Sequence, residues 1–161
     1  MAKKTVHYAD FDSILTVNRE VVRLTKEPHE ISHPDGEKIE ELLAEVEEQA
    51  EGEDLHKAIL RKASYLVFKL ASGQHFRNGN KRTALVAGLV FLRKNGYGMD
   101  ITNPMLVSAV DKAGIAAAGM DDIHEVISEL VTKSPTDRGS WESSVKKVIG
   151  SNRKFLIQVG S

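Results

Sequence analysis

Apolar residues recur every three or four positions through most of this chain, which is the spacing of one face of an α-helix. The pattern predicts six amphipathic helices, whose apolar faces are Val17–Leu24, Ile39–Val46, Leu55–Leu70, Leu85–Leu92, Met105–Ala113 and Ile123–Val131. Such faces must be buried against one another, so the sequence predicts an all-α helical bundle. At 161 residues the chain can bury one core of this kind and is too short for two ordinary domains.

Two segments interrupt or end this helical pattern. Pro28–Gly36 holds two prolines and a glycine, which predicts a loop or a small hairpin. Beyond Lys133 the chain becomes polar and then basic, so we expect a helical domain over residues 1–133 and a linker with a C-terminal tail over residues 134–161. The apolar run Phe155–Ile157 in that tail is compatible with either a helix or a strand, and we expect the predicted first helix to be capped by Thr16.

The composition excludes several classes of protein. Lys and Arg number 22 against 23 Asp and Glu, so no net charge draws the chain toward nucleic acid or acidic lipid, and neither partner is expected. Cysteine is absent, which excludes disulfides and thiolate metal sites. The first twelve residues are polar, and no stretch approaches the ~18 apolar residues of a membrane span. We therefore expect a cytoplasmic protein.

The most informative stretch is Gln74–Ala84, which lies between two predicted core helices. The first N–H groups of a helix lack partners within it, and the helix dipole is positive there. Gly79 allows a close backbone approach, while Asn80, Lys81 and Arg82 add donors and two positive charges that we expect to be exposed. The pattern predicts a site for phosphate or pyrophosphate. The alternative is a solvated helix start with two surface cations.

The same stretch resembles the active-site motif of the Fic/Doc (Fido) family, usually written His-x-Phe-x-Asp/Glu-Gly-Asn-Gly/Lys-Arg. The matching residues are Phe76-x-Asn78-Gly79-Asn80-Lys81-Arg82-Thr83-Ala84. The Lys-Arg-Thr-Ala ending and the later segment 91–97 are similar to the Doc, or death-on-curing, branch. The resemblance implies a Fido-type helical bundle with a small hairpin-like flap, which binds ATP with Mg²⁺ and transfers AMP or a phosphoryl group to a hydroxyl of a target protein.

This chain departs from the family motif at its two catalytic positions. In the family the motif His takes the proton of the target hydroxyl, and the motif Asp or Glu holds the metal. Here Gln74 occupies the first position and Asn78 the second, although His75 is adjacent to the first. A Gln amide cannot accept a proton near neutral pH, and an Asn carbonyl is a weaker ligand for Mg²⁺ than a carboxylate.

Three hypotheses follow from these departures. The first is a transferase in which His75 replaces the missing base. The second is a catalytically impaired Fido module that binds nucleotide or a protein partner, as in toxin–antitoxin systems. The third is a purely structural helical bundle. Many Fido proteins are inhibited by a helix with the pattern Ser/Thr-x-x-x-Glu-Gly/Asn, whose Glu blocks the terminal phosphate of the nucleotide. This pattern is absent from the sequence. The resemblance therefore implies that either an antitoxin-like protein supplies the inhibition or no inhibition is needed.

The resemblance also assigns a role to the segment before the motif. In the family the flap lies along the incoming target segment, which implies that Glu30, Ile31, Ser32 and His33 line a peptide groove. His29 and His33 are four residues apart, a spacing that would suit a metal only on a helix, and the nearby prolines argue against a helix. A solvated loop is the better interpretation of this pair, and the resemblance implies that both histidines line the same peptide groove.

Overall fold

The structure is a computed structural model and describes residues 5–32 and 36–159. In this part of the chain the helices are α1 (Phe11–Leu24), α2 (Glu37–Glu48), α3 (Leu55–Ser72), α4 (Asn80–Lys94), α5 (Pro104–Gly114), α6 (Met120–Leu130), α7 (Trp141–Ser151) and α8 (Arg153–Gln158). The strands are β1 (Tyr97–Gly98) and β2 (Thr132–Lys133), which pair antiparallel. The all-α prediction is confirmed. Within the described residues no helix has both the length and the apolar character needed to cross a bilayer.

Helices α3 and α4 form the centre of the bundle. Residues 83–92 of α4 are buried on every side, because α1, α3, α5 and α7 all pack against this helix. The close approach of α3 requires Gly88, where an added Cβ would lie 2.4 Å from Cγ2 of Val67. The loop between these two central helices is the motif stretch, so the core packing holds the candidate site at both of its ends.

Side-chain caps set where α1, α3, α5 and α7 begin, and the caps of α1 and α5 bear on the sequence predictions. The N-cap of α1 is Asp10, whose carboxylate accepts a hydrogen bond of 2.8 Å from the N–H of Ser13. The expected cap at Thr16 is therefore wrong, since the helix begins five residues earlier and that threonine lies within it. In α5 the prediction holds: Asn103 accepts from the N–H of Met105 and Pro104 is the first helical residue.

The segment that follows Lys133 belongs to the helical body. Val145, Val148 and Leu156 are fully buried, and α7 and α8 pack against α1, with α7 also packing against α4. The physical reason is that apolar residues of α7 lie three and four positions apart and form one buried face. The polar linker before α7 makes this pattern hard to recognise in the sequence. The apolar run Phe155–Ile157 is helical. Lys94 anchors the linker by donating to the carbonyl oxygen of Gly139.

Candidate functional site

The motif loop ends at Gly79, which is the N-cap of α4. Its φ of +76° is in the left-handed region, and a Cβ there would lie 2.9 Å from Cγ1 of Val22. The helical hydrogen-bond ladder begins with the N–H of Thr83, 2.8 Å from the carbonyl oxygen of Gly79. The N–H groups of residues 80–82 therefore precede the ladder at the positive end of a 15-residue helix. This arrangement can hold an anion.

Asn80 determines the shape of the loop. Its side chain is buried and bonds both backbone groups of Phe76. It accepts from the Phe76 N–H at 3.1 Å and donates to the Phe76 carbonyl oxygen at 2.7 Å. Phe76 is itself buried in the core. The side chain predicted to be a phosphate donor is thus used to hold the loop closed, and the backbone N–H of Asn80 remains the group at the helix start.

The two cations of the motif differ sharply in their surroundings. Lys81 is half-buried, and its ammonium lies 3.0 Å from a carboxylate oxygen of Asp111 on α5. Arg82 is buried, and its guanidinium donates to the carbonyl oxygens of Leu156 at 2.6 Å and Val159 at 2.7 Å. The expectation that Arg82 is exposed is therefore wrong, because α8 and the chain after it cover it. Its contact with phosphate stays a prediction.

Gln74 and His75 face different surroundings. Gln74 is exposed, with a left-handed backbone at φ +51°. His75 is buried against the end of α3, where a Cβ added at Gly73 would lie 2.4 Å from its Nε2. The imidazole of His75 therefore packs against α3, and its role as a replacement base stays a prediction.

Asn78 occupies the motif position of the metal ligand. Its side chain is half-buried and its Nδ2 donates to the carbonyl oxygen of Pro28 at 3.0 Å. The described residues contain no group of three or more His, Cys, Asp or Glu side chains that could hold a metal ion. A single neutral amide does not fit an Mg²⁺ ion held by the protein itself, because Mg²⁺ prefers carboxylates and phosphates.

The flap segment pairs with the motif loop. Ile31 forms an isolated antiparallel bridge with Phe76, supported by bonds from the N–H of Ser32 to the His75 carbonyl oxygen at 2.9 Å and from the N–H of Arg77 to the Glu30 carbonyl oxygen at 3.0 Å. The pairing partner is the motif loop. The fourth predicted flap residue, His33, lies outside the described residues.

An open groove of about 550 Å³ lies along this pairing. It is lined by His29, Glu30, Ile31 and Arg77. Glu30 and Arg77 form an ion pair across it, with Oε2 and Nε 3.1 Å apart. Two of the four predicted flap residues, Glu30 and Ile31, thus line one groove together with His29, and the structure adds Arg77.

A buried asparagine joins the flap to the motif loop. Asn18 is fully buried on α1, and its Nδ2 donates to the carbonyl oxygen of Asn78 at 2.8 Å and to Oγ1 of Thr83 at 3.1 Å. Its Oδ1 lies 2.7 Å from Nδ1 of His29. The sequence analysis missed both Asn18 and this use of His29. The available signal was a polar residue directly beside Val17, within a predicted apolar face.

A motif loop between two central helices, bridged by a flap segment on one side, is the arrangement expected of a Fido-type domain. The sequence model of the Fic/DOC family matches residues 8–92, which is more than half of the 161-residue chain and includes the whole motif. The chain therefore belongs to the Fic/DOC family. No curated protein matches it.

Proposed function

We propose that this protein binds the phosphates of ATP at the N-terminus of α4 and transfers AMP or a phosphoryl group to a hydroxyl of a protein target held at the flap. The observation that carries the proposal is the start of α4. There a left-handed glycine that admits no side chain precedes three N–H groups outside the helical ladder. Phosphate is the ligand that such a helix start suits best.

Lys81 is the cation best placed to assist. It is half-buried at the second position of α4, and the Asp111 carboxylate beside it is itself about half exposed. A lysine ammonium acts on phosphate as a point charge, so it can exchange its carboxylate partner for a phosphate oxygen without a precise geometry. Arg82 would first have to leave three acceptors, namely two backbone carbonyls and the Glu27 carboxylate 3.4 Å away.

The flap supplies an edge for the target. Ser32 and Glu30 use their backbone groups to pair with the motif loop, and in an antiparallel ladder the groups of the intervening residue point the other way. The N–H and C=O of Ile31 are thus directed away from Phe76. An extended target segment can add to such an edge by main-chain hydrogen bonds.

A second candidate function is a binding module without transfer. It is favoured by the exposed Gln74, which offers no base, and by Asn78, which offers no carboxylate. Such a module would keep the affinity for ATP or for an antitoxin-like protein partner. Neither candidate assigns a step to a metal held by the protein.

Calorimetric titration of the full chain with ATP tests the shared part of both candidates. We expect Lys81→Ala to weaken binding by roughly tenfold or more, which is the cost of losing one charge-assisted contact to phosphate. Lys146→Ala is the matched control, since that lysine lies on α7 and is exposed. Absence of ATP binding, or equal affinity of both variants, would refute the phosphate site.

Label transfer separates the two candidates. The full chain is incubated with a cell lysate and ATP labelled on the α or the γ phosphate. A transferase yields labelled protein beyond that of the lysate alone, and the labelled phosphate identifies the group transferred. A binding module yields ATP affinity without label.

A further inference from the structure

We propose that His29 is the proton acceptor for the target hydroxyl, in place of the histidine that the motif lacks at residue 74. The inference rests on the proposed transfer function and names a catalytic residue for it. His29 lies outside the motif, on the chain that leads into the flap, and it lines the groove described above.

The position of His29 is fixed on the motif loop. Its ring lies over Phe76, with ring centroids 6.1 Å apart and planes inclined at 30°. Its Nδ1 is held by Asn18, which also binds the carbonyl oxygen of Asn78. That carbonyl directly precedes Gly79, the N-cap of α4. One buried side chain therefore connects the imidazole to the start of the phosphate-binding helix.

The hydrogen bonds also determine which ring nitrogen can accept a proton. A backbone carbonyl can only accept, so the Asn18 atom that faces Asn78 must be the amide nitrogen. The other amide atom, which faces His29, is then the oxygen, and Nδ1 must donate to it. In a neutral imidazole this leaves Nε2 as an unprotonated acceptor. Asn18 thus holds His29 in the tautomer that a general base requires.

The charges around the ring favour this neutral form. Partial desolvation of the exposed His29 ring lowers its pKa, and the positive charge of Arg19 on α1 lowers it further. Among the described residues that line the groove, the charged side chains are Glu30 and Arg77, which are paired with each other. Desolvation and Arg19 both favour the neutral imidazole over the imidazolium.

The chemical step balances without any further reactant. The proton of the target hydroxyl passes to Nε2 of His29, which becomes an imidazolium. The hydroxyl oxygen forms a bond to phosphorus, and the bond from phosphorus to the leaving group breaks. The leaving group keeps that electron pair and departs as pyrophosphate from attack at the α phosphorus, or as ADP from attack at the γ phosphorus.

The test is His29→Asn in the full chain, assayed by label transfer from ATP to lysate proteins. An Asn side chain can keep a donor toward Asn18 but cannot accept a proton. We expect transfer to fall by about 10²–10⁴-fold, the usual contribution of a general base. The control is His56→Ala, because His56 is also exposed and its Nδ1 lies 3.0 Å from the hydroxyl of Tyr97 on β1.

Four further readouts distinguish a base from a structural residue. The melting temperature and the ATP affinity of His29→Asn should match those of the unaltered chain. The transfer rate of the unaltered chain should fall in mildly acidic buffer as His29 gains its proton, whereas the residual rate of His29→Asn should not. Rescue by added imidazole would further support the assignment.

The experiments distinguish a failure of the role of His29 from a failure of the proposed function. A chain that binds ATP but transfers no label overturns both the proposed transfer and the role of His29, while the phosphate site stands. Transfer by His29→Asn within threefold of the unaltered chain also overturns the role, and it leaves the proposed function standing. A chain that does not bind ATP overturns both.

Discussion

Arg82 links α4 to α8 and the residue after it by hydrogen bonds, and Arg82→Ala measures how much these bonds stabilise the protein. The guanidinium is buried and donates to two backbone carbonyls, with a third and longer contact to Glu27. Each buried carbonyl left without its donor costs about 1–3 kcal/mol. Relief of the buried positive charge offsets part of this cost. We expect Arg82→Ala to lose about 3 kcal/mol of unfolding free energy.

Thermal and urea unfolding followed by circular dichroism measure this loss. For a domain of this size, 1 kcal/mol corresponds to about 2–4 °C in melting temperature, so we expect a decrease of about 6–12 °C. Arg153→Ala is the control, since that side chain is exposed on α8 and its loss should change stability by less than about 0.5 kcal/mol. Equal melting temperatures of Arg82→Ala and Arg153→Ala would refute the reasoning.

Hydrogen exchange locates the effect. If Arg82 holds the carbonyls of Leu156 and Val159, the amides of α8 should exchange faster in Arg82→Ala while those of α5 stay protected. Any loss of ATP affinity in an Arg82 variant has to be compared with this loss of stability. Lys81→Ala is for this reason the cleaner probe of phosphate binding.

Two further predictions concern packing and acid stability. Gly88→Ala should destabilise the protein by about 1–3 kcal/mol in urea unfolding, because its Cβ would collide with Val67 across α3 and α4, and an unchanged midpoint would contradict this packing. Hydrogen bonds from the Gly139 N–H and the Ser144 hydroxyl lower the pKa of Asp137 below its ordinary 3.8. A lowered pKa contributes stability above pH 3.8 that is lost as the pH falls through the folded value. The urea concentration at the unfolding midpoint should therefore decrease as the pH is lowered below about 4. In Asp137→Asn this decrease should be less steep, and identical slopes in the two proteins would exclude this role.

Local sequence features predicted the parts of the fold that depend on neighbouring residues. The start of α5 follows from Asn103 and Pro104, which act within one turn. The burial of Arg82 could not be predicted in the same way, because its acceptors lie 74 and 77 residues further along the chain. The β1–β2 pairing likewise joins Tyr97 to Lys133, and no pattern within either segment indicates the other.

The same distinction between local and long-range information applies to the candidate site. The motif predicted where the helix start and the flap would lie, because spacing carries that information. It did not show that the side chain of Asn80 would bond to the loop, nor that Asn18 would hold His29, because both depend on how α1, the flap and α4 meet. Orientation of a side chain is a tertiary property.

The double hydrogen bond between Asn80 and the Phe76 peptide separates the shape of the loop from its chemistry. One side chain supplies the partners that a neighbouring strand would otherwise provide, so the backbone holds its curve whatever residues 74 and 78 are. Little conformational entropy is then left to lose when a ligand binds. Selection can exchange the side chains at residues 74 and 78 on such a frame one at a time, and a lineage can lose or relocate a group there without first having to rebuild the loop.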